Sequence, residues 1–91
     1  MSLLRLPLKA EYFDAIKAGA KPTEYRLATP YWRKRLVGKH YEGIELMRGY
    51  PKASDRSRRL RRPWRGYTCT TIQHPQFGDS PVMVYAIPVH P

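Results

Sequence analysis

Near the start of the chain Leu4, Leu6 and Leu8 recur at every second position, with Arg5 and Pro7 between them. That period of two predicts a strand over Leu3–Lys9 with one face buried. Pro7 has no amide hydrogen to give to a ladder, so the strand belongs at a sheet edge or ends there. From Ala10 to Ala18 the spacing changes. Tyr12, Phe13 and Ile16 gather on one side of a short helix, while Glu11, Asp14 and Lys17 point away. The early acids and the late Lys17 suit the helix dipole. Gly19 stops the helix, because the residue after a last turn commonly takes a left-handed conformation.

Lys21-Pro22 leads into a second predicted strand, Thr23–Leu27, with Thr23, Tyr25 and Leu27 on one side and Glu24 and Arg26 on the other. Pro30 opens a short helical turn through Tyr31, Trp32 and Leu36, closed by Gly38. Gly43–Met47 reads as a third strand with Ile44 and Leu46 inward, ended by Arg48-Gly49-Tyr50-Pro51. Between Lys52 and Pro63 the only large apolar residue is Leu60, which predicts a basic, flexible loop or a marginal helical turn. Strand character resumes over Trp64–Ile72, rich in aromatic and β-branched residues. Gln73–Pro81 is a turn region, and Val82–Val89 is a last strand, apolar on both faces and therefore covered on both sides.

This order predicts an α+β domain: a compact mixed β-barrel of about five strands with one amphipathic helix after the first strand and a second helical turn. A chain of 91 residues holds one domain, with residues 52–63 as its basic loop.

Charge changes the picture most. Seventeen Lys and Arg face seven Asp and Glu, a formal net charge of +10. A polyanion relieves such self-repulsion and releases counterions in doing so, which points to nucleic acid as partner. No long apolar or cationic amphipathic helix is present to favour a membrane. Cys69 is alone, so an intrachain disulfide is ruled out, and it reads as a small core residue in a reduced, cytoplasmic protein. His40, His74 and His90 are too scattered to suggest a metal site, the methionines read as core filler, and nothing in the pattern calls for a cofactor.

Arg56 to Arg65 holds six arginines in ten positions, with Trp64 inside the run and Tyr67 just beyond. Guanidinium groups bind phosphate through paired hydrogen bonds and stack on bases. Trp64 has two readings, a stacking platform or an anchor in a small core. The candidate nucleic-acid contacts are Lys9, Arg48, Lys52, Arg56, Arg58, Arg59, Arg61, Arg62, Trp64 and Arg65.

In Gly19-Ala-Lys-Pro-Thr-Glu-Tyr-Arg26 the turn frees Lys21, and strand alternation puts Glu24 and Arg26 on one side. A Lys, a carboxylate and a guanidinium converging there would suit phosphate binding or proton transfer, or simply form an ion pair at a rim.

Leu6-Pro-Leu-Lys9, Tyr12-Phe-Asp-Ala-Ile16, Gly19-Ala-Lys21, Glu24-Tyr-Arg26 and Gly38-Lys39 together resemble the ASCH domain family, of the PUA-like barrel superfamily. Trp64-Arg-Gly-Tyr67 and Val82–Val89 look like its later strands, and the whole chain resembles the compact members found in phage and prophage sequences. The resemblance implies a barrel with a cleft beside the first helix, associated with RNA or modified nucleobases. Two enzymatic branches are implied: hydrolysis of acetylated cytidine, and RNA cleavage. In the hydrolase branch a nucleophilic Thr stands where this chain has Glu24, and Thr23 one position away faces the opposite side. For RNA cleavage Glu24 would be the base, Lys21, Arg26 or Arg48 the cation facing phosphate, and Tyr50 an acid or positioning group. The leading expectation is an RNA-binding module. A small ribonuclease or nucleoside hydrolase using the same cleft is second, and a module binding an acidic protein is third.

Overall fold

The computed structural model describes residues 2–91 as a small α+β fold with two helices and six strands in two sheets. The strands are β1 (Leu3–Leu8), β2 (Thr23–Leu27), β3 (Gly43–Arg48), β4 (Arg59–Arg62), β5 (Thr68–Ile72) and β6 (Val82–Pro88). Helix α1 spans Ala10–Lys17 and α2 spans Pro30–Leu36, with single 3₁₀ turns at Arg56–Arg58 and Pro75–Phe77.

The first sheet has the order β1-β3-β4, with β1 parallel to β3 and β3 antiparallel to β4. β1 lies at its edge, as the missing amide hydrogen of Pro7 requires. Leu4, Leu6, Ile44 and Leu46 are wholly buried on its inner face. Each such side chain contributes about 1.5–3 kcal/mol of burial. Phe13 and Ile16 of α1, Leu36 of α2, and Tyr85, Ile87 and Val89 at the end of β6 complete the same core.

The second sheet, β2-β6-β5, is antiparallel. Val84 is buried on one side of β6 and Tyr85 and Ile87 on the other, as its two-sided apolar pattern predicts. α1 ends at Gly19, whose φ of 83° gives the chain its turn toward β2. Thr29 caps α2 by accepting from the Trp32 amide, and Pro30 occupies its first turn.

Among the described residues no backbone hydrogen bond joins the two sheets; arginine side chains do. Arg26 Nη2 donates to the Pro7 carbonyl at 2.8 Å, fastening β2 to β1. Arg62 Nε donates to the Val89 carbonyl at 2.9 Å, fastening β4 to the end of β6.

Four expectations need correction. Arg59–Arg62, expected within a loop, is a strand in register with Ile44–Met47, so the strands number six. Its Leu60 faces the core, while Glu45 supplies the counter-charge that lets arginines line a sheet. The strand expected over Trp64–Ile72 begins only at Thr68, because Gly66 takes a φ of 79° and breaks the extended run. Cys69 is exposed, since β5 is an edge strand whose first four residues all face solvent. Met83 is 60% exposed on the neighbouring strand and fills no core. Trp64, by contrast, packs half-buried against the core and edge-on to Tyr41, which is the anchoring role.

Candidate nucleic-acid interface

Three constellations of charged and aromatic groups stand out. The first is the Lys21–Glu24–Arg26 group, which the turn after α1 and the alternation of β2 bring together. Glu24 is 1% exposed. Its Oε2 accepts from Arg26 Nη2 at 2.9 Å. Its Oε1 is in an ion pair with Lys21 Nζ at 3.3 Å but accepts no hydrogen bond, while that ammonium donates to the Thr23 carbonyl at 2.6 Å. Aromatic rings close over both cations: Arg26 sits 4.9 Å from the Trp32 ring centre, and Lys21 sits 5.1 Å from Tyr25 and 5.6 Å from Tyr12. This is a sealed ion cluster that ties α1, β2, α2 and β1 together. In this arrangement no face of the carboxylate is open to a substrate hydroxyl.

The second constellation covers the outer face of the first sheet. With Leu4, Leu6, Ile44, Leu46 and Leu60 turned inward, alternation sends Arg5, Glu45, Arg59 and Arg61 outward. Arg5 on β1, Glu45 on β3 and Arg61 on β4 stand in one cross-strand row. Pro7, Met47 and Arg59 form the next row. Glu45 Oε1 accepts from Arg59 Nη1 at 2.8 Å and from Arg5 Nε at 3.4 Å, and Oε2 lies 3.6 Å from Arg61 Nε. Arg59 is anchored further, to Met47 Sδ and to the carbonyls of Pro51 and Lys52. Glu45, Arg59, Arg61, Arg56 and Ala53 line a cavity of about 410 Å³. The side chains of Arg5 and Arg61 are 64% and 71% exposed, so their remaining N–H groups face solvent.

A third group lies at the carboxyl ends of the parallel strands β1 and β3. Pro7, Leu8, Lys9, Gly49 and Tyr50 line a cavity of about 280 Å³ there, with the Tyr50 ring 90% exposed. Pro7 belongs both to this cavity and to the Arg59 row, which makes the outer face and the strand ends one continuous surface.

The remaining expected contacts are dispersed. Arg48 pairs with Asp14 of α1 across a half-exposed surface. Arg62 is spent on the Val89 carbonyl, and Arg65 donates to the carbonyls of His90 and Pro91. Arg58 pairs with Asp55 at 2.9 Å. The Asp55 carboxylate also accepts from the Ser57 hydroxyl and amide, and these bonds with the Arg58 charge hold its pKa below the ordinary 3.8. Lys52 and Arg56 are exposed, Arg56 on the cavity rim.

Sequence reasoning passed over Arg5 and Glu45. Their signal was the period of two itself: with Leu4, Leu6, Ile44 and Leu46 inward, both charged residues must share the outer face. It also passed over Arg33, Lys34 and Arg35 on α2, a basic run visible in the chain; Arg33 and Lys34 are exposed, and Arg35 stacks at 5.5 Å on Tyr31. Among the described residues no group of acidic, His or Cys side chains could hold a metal ion, and no helix is long and apolar enough to cross a membrane. Comparison with protein-family models, curated proteins and solved structures found no match.

Proposed function

We propose that this chain binds single-stranded nucleic acid, RNA above all, along the outer face of the β1-β3-β4 sheet. The observation that carries the reading is the gathering of Arg56, Arg59 and Arg61 around one cavity on that face, with Arg5 beside it on Glu45 and the exposed Tyr50 at the neighbouring strand ends. Successive outward rows on a strand are about 6.6–6.8 Å apart, so the face offers a repeating set of donors to an extended sugar–phosphate chain. Tyr50 supplies a flat surface for stacking a base at one end of this track. A duplex would present its phosphates on a convex rod, whereas a single strand can follow the cavity and splay its bases.

The resemblance to the ASCH family supports the same ligand class, and a PUA-like barrel is part of the proposal. The side-chain bridges at Pro7 and Val89 are consistent with two sheets curling toward each other at both margins. Glu24 enters as a positioning group: sealed between Lys21 and Arg26, it orders the turn next to Pro7 instead of moving protons.

Fluorescence anisotropy with a labelled single-stranded RNA across a salt series tests the reading. The Arg56→Ala, Arg61→Ala double variant removes two exposed cations, of which Arg61 has one weak ion partner, Glu45 at 3.6 Å, and Arg56 has none among the described residues. Its slope of log affinity against log salt should flatten by about 1.4, at about 0.7 per lost phosphate contact on a single strand. An unchanged slope in a folded variant overturns the proposed face. Equal binding of an acidic polypeptide with the same slope would favour the protein-partner reading instead.

A further inference from the structure

We infer that the free edge of β5 pairs with β5 of a second copy of this chain, joining two three-stranded β2-β6-β5 sheets into one. β5 pairs with β6 on one side and with no strand on the other. The Ala28 amide donates to the Met83 carbonyl at 3.1 Å, and the Val89 amide to the Pro22 carbonyl at 2.8 Å. Both bonds continue the β2–β6 register, so Met83, Tyr85, Ile87 and Val89 turn their main chain toward β2. Val82, Val84 and Ala86 therefore turn theirs toward β5, where Ile72, Thr70 and Thr68 meet them. The amides and carbonyls of Cys69 and Thr71 are left pointing outward. Among the described residues no other main-chain group bonds to them.

The other sheet edges are guarded. β1 carries Pro7, and Arg26 of β2 donates to the Pro7 carbonyl, which occupies the seam between those two strands. β4 reads Arg-Leu-Arg-Arg, so a strand approaching it meets a row of guanidinium groups. β5 reads Thr-Cys-Thr-Thr-Ile, with neither charge nor proline and with strong β propensity. The neutral stretch extends past the strand: Gly66–Gly78 holds no Lys, Arg, Asp or Glu in a chain of net charge +10. A second copy is the occupant this favours. Two molecules of this charge repel each other, and of the sheet edges only this one can approach its copy without setting like charges together. An acidic partner would find no cation on this edge to draw it.

The outward groups also set the register. Antiparallel pairing centred on Thr70 puts Cys69 of one copy opposite Thr71 of the other, and each such pair exchanges two hydrogen bonds. Any other centre leaves one of these residues without a partner inside β5. Thr70 then meets its own copy at a position without hydrogen bonds, the Cα atoms about 4.5 Å apart. The contact is two-fold and uses up the edge that makes it, so assembly closes at two copies. With 5 residues on each side the interface is small, and the association is weak and reversible.

Analytical ultracentrifugation from micromolar to millimolar protein tests this. The wild type should pass from monomer to dimer as concentration rises. It should do so more readily at about 0.5 M salt than at about 0.05 M, because screening weakens the repulsion between the two cationic bodies. Thr71→Pro removes an outward amide that serves no bond within the fold, and should weaken the dimer by about tenfold or more, since the loss counts twice across the two-fold axis. Thr70→Lys, at an exposed position, sets two ammonium groups opposite each other and should act in the same direction, with circular dichroism showing that both variants fold. Cys69→Ser combined with Thr70→Cys should form an interchain disulfide under mild oxidation, because the Cα spacing falls in the bonding range. The wild type, whose Cys69 faces Thr71, should cross-link far less. A wild type that stays monomeric throughout overturns the inference, even if a peptide carrying residues 67–73 binds the same edge. So does a dimer that both variants keep, or one that added salt dissolves, for either would lie on another surface.

Discussion

Glu24→Gln separates a structural carboxylate from a catalytic one. The wild-type side chain is 2% exposed and lies between two cations whose side chains are each 18% exposed. Removing its charge leaves Lys21 and Arg26 close together without their counter-ion. Breaking a buried ion pair from one side costs about 3–5 kcal/mol. Water reaches both cations in part, so the loss here should fall at the lower end, about 3 kcal/mol. At about 2.1 cal/mol/K of unfolding entropy per residue over 91 residues, that corresponds to a fall in Tm of about 15 °C. Differential scanning calorimetry measures it, with exposed Glu11→Gln as a control expected to change stability by no more than about 0.5 kcal/mol. The loss should persist from about 0.05 to 0.5 M salt, since a buried pair is little screened. Adding Lys21→Met to Glu24→Gln should recover part of it, because the uncompensated cation is gone. A general base without a structural role would behave oppositely, leaving Tm nearly unchanged. A fall below about 5 °C, or no recovery in the double variant, refutes the reasoning.

Two further outcomes follow from the packing and from one titrating group. Leu46→Ala opens a cavity beside Leu4, Leu6 and Ile44, all wholly buried, and should cost about 2–5 kcal/mol in urea denaturation with an unchanged m-value. Asp55 has its pKa lowered in the fold, so the stability it contributes is complete above the ordinary carboxylate value of 3.8 and is lost as pH falls through the lower folded value. Amide exchange at Ser57 and Arg58 should therefore quicken below that range, and Asp55→Asn should remove this pH step.

Periodicity carried much of the architecture because β1 and β3 set Leu4, Leu6, Ile44 and Leu46 on one face at period two, and α1 gathers Phe13 and Ile16 at helical spacing. It also placed Glu24 beside Arg26, since residues two apart on a strand share a side. It failed at Arg59–Arg62 for a definite reason. A strand with one apolar residue is stable only if something neutralises its outward arginines, and that partner, Glu45, lies in a different segment of chain. Cys69 was misplaced because composition says nothing about which strand lies at an edge; β5 pairs on one side only, so its β-forming residues stay wet, and Met83 lies opposite Thr71 of that strand. The arginine run was read as one functional unit. Register divides it, sending Arg59 and Arg61 to the outer face and Arg62 to a carbonyl of the other sheet.

That division bears on how the molecule breathes. A barrel closed by main-chain pairing can part only when several backbone bonds fail together. Here the margins are held by single guanidinium groups, at Pro7 on one side and Val89 on the other, so each seam can loosen in a small, independent step. Strand β4, which packs on the core through Leu60 alone, would then sample open forms that β3 and β6 reach only when the whole domain unfolds.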